Sequence, residues 1–259
     1  IISRAVSAEG GYKWPTDDGG GGIWFTTCRE GGAAGISEFL LELYRDTGNS
    51  TYLAYAEGAA KWMISMQTPE GYIAYGVPGS WHVGRASWTA ASILHVGEET
   101  GNESYVGIAE DTAEWLINTA IEENGGYKWS YEIYYDVQGT YRAVAFLYEI
   151  YNSTRNPLYL HYANGAVKWI ISQAVVDGNK AKWPSYQGQI NYPLVSSISR
   201  TLGKEFIGDV LLEAYTVTNN STYFEYAEEQ ANWIISQGVP ESGGMKFPSF
   251  EGGSDFSSY

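Results

Sequence analysis

Few side chains in this sequence are equipped for acid–base or metal chemistry, and their neighbours narrow what each could do. Asp17 and Asp18 are adjacent, follow Pro15-Thr16 and precede Gly19 to Gly22, so two carboxylates share one glycine-rich turn. Three readings stay open: an acid/base pair whose mutual repulsion raises one pKa, a calcium site completed by loop carbonyls, or an ordinary turn. The glycine run is no phosphate cradle, because no Gly-Lys-Ser/Thr follows it. Glu132 and Asp136 flank Ile133-Tyr134-Tyr135 just ahead of a helical pattern that carries Arg142. They read either as a second catalytic carboxylate pair or as acidic charges at a helix N-terminus. Arg85 and Arg142 offer the planar fork that takes a uronate carboxylate bidentately. His82, between Trp81 and Arg85, titrates near neutrality and suits proton transfer. His95 and His161 fall where the equivalent residues of other repeats are polar or variable, so both are expected at the surface.

The elements that must position these groups come from an internal repeat. Tyr52-Leu53-Ala54-Tyr55-Ala56, Tyr105-Val106-Gly107-Ile108-Ala109, Tyr159-Leu160-His161-Tyr162-Ala163 and Tyr223-Phe224-Glu225-Tyr226-Ala227 are each followed by a tryptophan ten residues after the first Tyr, at Trp62, Trp115, Trp169 and Trp233. Within the block the apolar residues recur at helical spacing, as in Leu53, Ala56, Ala60, Met63 and Ile64. A second helical pattern lies upstream of each, over Gly35 to Arg45, Thr89 to Glu98, Arg142 to Tyr151 and Gly208 to Thr216. Every repeat is therefore a helix pair with a short polar link such as Asp46-Thr47-Gly48-Asn49-Ser50-Thr51, which supplies a helix stop and an N-cap. Longer links join one repeat to the next and share a Lys–aromatic pair, at Lys13-Trp14, Lys128-Trp129, Lys182-Trp183 and Lys246-Phe247.

Stacked helix pairs of this kind give an all-α protein, an α/α toroid or an open arc of about four helix pairs. Residues 1–259 read as a single repeat domain with units of about 1–62, 63–115, 116–169 and 170–233 and a partial unit 234–259. In the last three long links the Lys lies 13 residues after the repeat tryptophan, and Ile1-Ile2-Ser3 matches Ile170-Ile171-Ser172, so the sequence is expected to be cut from, or completed by, a larger array. Aromatic residues make up 15% of the chain, more than the helix markers use, and many lie in the long links. Trp14, Trp24, Tyr75, Trp81, Trp129, Trp183 and Tyr192 are candidates for stacking on sugar faces. For the repeated Trp14, Trp129 and Trp183, packing of one link on the next is the alternative.

Composition removes several classes of partner. A net charge of −15 repels nucleic acid and anionic lipid. No apolar stretch approaches the roughly 20 residues that cross a bilayer. One cysteine, Cys28, cannot make an internal disulfide or a multi-thiolate zinc site. No cofactor is called for, calcium remains open and zinc is disfavoured. Asn49, Asn102, Asn152 and Asn220 each begin Asn-x-Ser/Thr in the short links, as glycosylation acceptors of an extracellular or cell-surface protein or as helix N-caps that spell the same pattern.

Gly32-Ala33-Ala34-Gly35-Ile36-Ser37-Glu38-Phe39-Leu40-Leu41-Glu42-Leu43-Tyr44, with Thr47-Gly48-Asn49 and Tyr52-Leu53-Ala54-Tyr55-Ala56 behind it, resembles the repeats of lanthionine synthetase C-like proteins and of six-hairpin (α/α)6 carbohydrate enzymes of the glucuronyl hydrolase and epimerase type. The cyclase resemblance implies a zinc held by two Cys and one His. Here the nearest strings, Thr27-Cys28-Arg29-Glu30-Gly31 and Trp81-His82-Val83-Gly84, supply two ligands at most. The carbohydrate resemblance implies a saccharide ligand and a protonated and an ionised carboxyl about 5 to 10 Å apart on the long-link side. Asp17, Asp18, Glu30, Glu70, Glu132, Asp136, Glu251 and Asp255 are the acidic residues available there. The expectation is a glycan-binding or glycan-processing protein, with a non-catalytic scaffold or glycan-binding module of a larger surface protein as the rival.

Overall fold

The structure, a computed structural model, describes residues 1–17, 23–27, 32–76, 82–129, 136–184 and 207–247. In chain order the elements are β1 (Val6–Ala8), β2 (Gly11–Lys13), β3 (Thr16–Asp17), β4 (Ile23–Trp24), α1 (Ala33–Thr47), α2 (Ser50–Ile64), α3 (Val83–Thr100), α4 (Glu103–Thr119), β5 (Ile121–Glu123), β6 (Gly126–Lys128), α5 (Asp136–Thr154), α6 (Pro157–Ser172), β7 (Val175–Asp177), β8 (Lys180–Lys182), α7 (Ile207–Thr218), α8 (Ser221–Ser236), β9 (Val239–Glu241) and β10 (Gly244–Lys246). The four helix pairs are α1–α2, α3–α4, α5–α6 and α7–α8.

Local chemistry explains why each pair breaks where it does. The first helix of every pair ends on a residue in the left-handed region, Gly48, Gly101, Arg155 or Asn219, at φ 68°, 67°, 60° and 55°. Gly48, Arg155 and Asn219 donate their N–H to the carbonyls of Tyr44, Tyr151 and Tyr215 at 2.7 to 2.8 Å, closing the last turn. The next helix is then capped. Asn49 Oδ1 accepts from Thr51 N at 3.0 Å, Asn102 Oδ1 from Ser104 N at 3.1 Å and Asn220 Oδ1 from Thr222 N at 3.2 Å. Helix α6 instead opens on Pro157, whose fixed φ and missing N–H suit a first helical position. Asn152 is no N-cap: it lies in the last turn of α5, where its Oδ1 accepts from Arg155 Nη1 at 3.4 Å.

The long links hold short antiparallel β-hairpins, which helical periodicity does not reveal. β1 pairs with β2, β3 with β4, β5 with β6, β7 with β8 and β9 with β10. The Lys–aromatic motif marks the second strand of four of them, and the turns use left-handed residues, Glu9-Gly10 at φ 46° and 78° and Asn124-Gly125 at φ 53° and 72°. Two hairpins lie flush on the helix that follows their repeat unit. A Cβ on Gly126 would stand 2.4 Å from the Gly165 carbonyl, and one on Gly165 would stand 2.4 Å from the Tyr127 ring. Gly11, Gly58 and Tyr12 repeat this arrangement. Tyr12 stacks on Tyr55 with centroids 4.7 Å apart, and Tyr127 on Tyr162 at 4.5 Å.

The chain forms two compact units, residues 1–119 with 149–156 and residues 120–148 with 157–259. In the first, α1 and α2 close on α3 and α4 through Leu40, Leu41, Ala56, Ala59, Ala60 and Met63 in one core with Ile93, Val96 and Tyr105. In the second, Tyr148, Tyr159, Trp169, Trp183, Val210 and Leu211 are buried. Each such tryptophan removes roughly 150–250 Å² from water, about 4–6 kcal/mol of hydrophobic stabilisation before the entropy of ordering it. Among the described residues no helix is long and apolar enough to cross a membrane.

Candidate functional site

In the first unit, three predicted site residues meet at the N-terminus of α3. The β3–β4 hairpin feeds into Phe25-Thr26-Thr27, and this segment is clamped on both sides. Ala33 and Ala34 at the start of α1 donate their N–H groups to the Thr26 and Thr27 carbonyls at 3.0 and 3.1 Å. Thr27 Oγ1 donates to the Ala74 carbonyl at 3.0 Å, and Thr89 Oγ1 of α3 donates to the Thr27 carbonyl at 3.4 Å. Gly76 completes the clamp: a Cβ there would lie 2.5 Å from the Phe25 carbonyl, and its φ is 63°. This lattice of backbone bonds fixes Tyr75 beside the first turn of α3.

His82 is the N-cap residue of α3, its carbonyl accepting from the N–H groups of Arg85 at 3.0 Å and Ala86 at 2.8 Å. Its Nδ1 is shielded from solvent. The Arg85 guanidinium stacks 3.9 Å above the Tyr75 ring. Lys13 Nζ lies 4.1 Å over the Phe25 ring and 6.0 Å from the Trp62 ring centroid. Stacking holds a guanidinium flat while leaving its edge N–H groups for a carboxylate or hydroxyl pair, and the helix N-terminus adds positive potential. An imidazole one turn away can hold or release a proton. Tyr75, Arg85 and the N-cap residue His82 thus gather a stacked guanidinium and an imidazole at one helix N-terminus, a combination chemically able to bind an anion or hydroxyl pair and to transfer a proton.

A second polar cluster bridges helices. His95 Nδ1 lies 2.9 Å from Glu38 Oε1 of α1, and His95 Nε2 lies 3.8 Å from Glu149 Oε2 of α5. Burial opposes the charged ring, but the hydrogen bond to Glu38 and the fields of Glu38, Glu149 and Glu98 outweigh it and push the pKa up to about 9. The surface placement expected for His95 is therefore corrected to an ion-paired bridge. A signal for it was present: Glu42, Glu149 and Glu213 occupy the equivalent position in the other repeats, so one base stands in an acidic column. His161 is exposed as expected, with its Nε2 3.3 Å from the Tyr127 hydroxyl.

Three of the proposed sugar-stacking tryptophans are corrected. Trp14, Trp129 and Trp183 are 3%, 1% and 1% exposed, which leaves no ring face for a ligand. Trp14 Nε1 donates to the Ile1 carbonyl at 3.0 Å and Trp183 Nε1 to the Ile170 carbonyl at 2.8 Å, while the Trp129 N–H donates to Thr140 Oγ1 at 3.0 Å. Trp183 thereby pins its link onto the end of α6 and Trp129 onto α5, while Trp14 ties its link to Ile1. Arg142 is also buried, within α5, and belongs to the second unit. Asp17 and Trp24 sit on β3 and β4, and Asp136 is the first residue of α5. Asp18, Glu132, Trp81 and Tyr192, together with Cys28, lie outside the described residues. Among the described residues no group of three or more His, Cys, Asp or Glu is arranged to hold a metal ion.

No protein-family model matches the sequence, and no curated protein is significantly similar to it. Solved structures are similar in fold. A GH76 α-mannanase from Bacteroides thetaiotaomicron shares 17% identity at a TM-score of 0.58, covering 88% of this chain and 62% of that one. An unsaturated glucuronyl hydrolase specific for heparin shares 14% at 0.62, covering 80% and 63%. A cellobiose 2-epimerase from Bacillus thermoamylovorans shares 12% at 0.69, covering 93% and 72%. The chain thus spans about three fifths of the length of the first two. Its helix-hairpin fold is that of the α/α-toroid class to which these structures belong, as the repeats foretold. At these identities the likeness concerns fold, which hosts many chemistries.

Proposed function

We propose that this chain binds and processes a saccharide at the long-link end of its first unit, and that the sugar carries a carboxylate. The observation that carries the reading is the Arg85 guanidinium over the Tyr75 ring at 3.9 Å in the first turn of α3, the helix whose N-cap residue is His82. Arg85 takes the carboxylate or a vicinal hydroxyl pair, and His82 moves the proton that hydrolysis, elimination or epimerisation each requires. Asp17, on the hairpin leading into Phe25, is the candidate for the partner acid or base. Such chemistry calls for no cofactor. The glycan-acting neighbours support the substrate class, and the four sequons, at Asn49, Asn102, Asn152 and Asn220, support an extracellular or cell-surface setting.

The test is a panel of neutral and uronate-bearing oligosaccharides measured for binding by calorimetry and for turnover by chromatography. Arg85→Gln should weaken uronate binding about tenfold or more, since a hydrogen bond to a charged group is worth roughly 1.5–3 kcal/mol. His82→Ala should leave binding in place and lower turnover by roughly 10²-fold or more. Binding without turnover of any sugar would make the chain a glycan-binding module, and no binding at all would overturn the reading.

A further inference from the structure

The β1–β2 hairpin lies on α2 and leaves an open groove of about 550 Å³ between its turn and the helix. Ser7, Glu9 and Tyr12 line it from the hairpin, and Ala54 and Lys61 from α2. Neither Gly11 nor Gly58 has room for a Cβ, so hairpin and helix backbones meet directly and the groove has fixed walls.

The third helix pair shows what shape such a groove accepts. Gly126, Tyr127, Tyr162, Gly165 and Lys168 stand there in the places of Gly11, Tyr12, Tyr55, Gly58 and Lys61. In both copies the two tyrosines stack, at 4.7 Å in the first and 4.5 Å in the third. The counterpart of Ala54 is His161. Its imidazole stands at 61° to the Tyr127 ring and 84° to the Tyr162 ring, with Nε2 3.3 Å from the Tyr127 hydroxyl. In the first pair the Ala54 methyl leaves that place open, and the Tyr12 hydroxyl has no hydrogen-bond partner among the described residues. One copy thus displays a small ring set polar edge first on a tyrosine pair, and the other has room for such a ring.

We infer that the groove between β1–β2 and α2 is a carbohydrate-binding site of its own, taking a neutral sugar ring with one hydroxyl on Tyr12 and ring C–H groups against the tyrosine pair. A sugar ring shares the small size and polar edge of the imidazole. The Ser7 hydroxyl, the Glu9 carboxylate and the hairpin backbone supply the mixed donors and acceptors that its other hydroxyls need. An anion fits poorly, because Glu9 lines the groove and Lys61 Nζ is held by Glu57 at 3.0 Å. An apolar ligand fits poorly too, since it would strip water from the charges of Glu9 and Lys61. The groove is separate from the Arg85 cluster: Tyr12 and Lys13 project from opposite sides of β2, and Lys13 is the one that meets Phe25. Nothing in the inference depends on catalysis at that cluster.

The alanine methyl resonances of Ala8 and Ala54, both in the groove wall, report on occupancy when the intact chain is titrated with cellobiose, maltose and mannobiose. Digalacturonic acid and imidazole are the charged and ring-only controls. At least one neutral disaccharide should shift both methyls saturably. Ala54→His, which installs the residue that the third pair carries, should weaken that binding roughly tenfold or more, read at Ala8. Tyr12→Phe, which keeps the ring and removes the hydroxyl, should weaken it roughly two- to tenfold. Ala54 is exposed on α2, and circular dichroism checks the fold of both variants. Arg85→Gln should leave the Ala8 and Ala54 shifts unchanged, and Ala54→His should leave uronate binding unchanged, so the two sites succeed or fail separately. No shift with any neutral disaccharide, binding that survives Ala54→His, or tighter binding of digalacturonic acid at these methyls would each overturn the inference. Imidazole shifting them where no sugar does would also overturn it, by making the groove a seat for a histidine side chain.

Discussion

Stability should fall with rising pH through the slightly alkaline range because His95 is charged in the folded protein. Its ordinary pKa is about 6.5 and its folded value is about 9, set by burial working against the Glu38 hydrogen bond and the charges of Glu38, Glu149 and Glu98. A raised folded pKa means the folded state holds the proton more tightly than the unfolded one. The contribution is therefore complete below about pH 6.5 and is lost as pH rises through about 9. About 2.5 units at 1.36 kcal/mol each gives at most about 3 kcal/mol, and the 27% exposure of the side chain argues for somewhat less. Urea unfolding midpoints at pH 6, 7.5 and 9.5 would measure it for the wild type and for His95→Gln, which keeps an amide donor near Glu38 but cannot charge. The wild type should lose about 2–3 kcal/mol across that range relative to the variant. Equal pH dependence of the two proteins, or a ring proton resonance of His95 titrating near 6.5, would refute the reasoning.

Trp129→Ala and Trp183→Ala should each destabilise their unit by roughly 3–5 kcal/mol, read as a lower unfolding midpoint, with no change in saccharide affinity of the folded fraction. Gly165→Ala should cost roughly 1–3 kcal/mol, because its Cβ would stand 2.4 Å from the Tyr127 ring, and Gly107→Ala, with open space around it, should be neutral or stabilising by the same assay. Asn49→Ala and Asn220→Ala should lose roughly 1 kcal/mol apiece through their N-caps, while Asn152→Ala should lose little. Gln230→Leu should raise the melting temperature of the isolated chain by removing an unpartnered buried donor.

The helix pairs were legible because their markers act locally. Tyr and Trp at fixed offsets set a 3.6-residue stripe, and an αL stop followed by an Asn cap ends each pair within a few residues. The β-hairpins were written just as locally, in the Asn124-Gly125 turn and the Lys–aromatic strands, but their three-residue strands are too short for an alternating pattern to stand out. The site was legible only in its chemistry. Tyr75, His82 and Arg85 were singled out by type, yet Tyr75 reaches the first turn of α3 in a segment that Thr27 Oγ1 ties down by donating to the Ala74 carbonyl, nearly fifty residues away in sequence.

By itself the sequence determined that the chain is all-α, that its units are helix pairs in four copies, and that its net charge is strongly negative. Periodicity, capping and net charge depend on near neighbours or on sums, so a linear reading reaches them. Tertiary structure alone decided which aromatics are core and which can face a ligand, because Trp14, Trp129 and Trp183 look the same in sequence as rings in a binding site until packing removes them from water. It also decided the charge of His95, since only folding brings Glu38 of α1 and Glu149 of α5 to the two sides of one ring on α3.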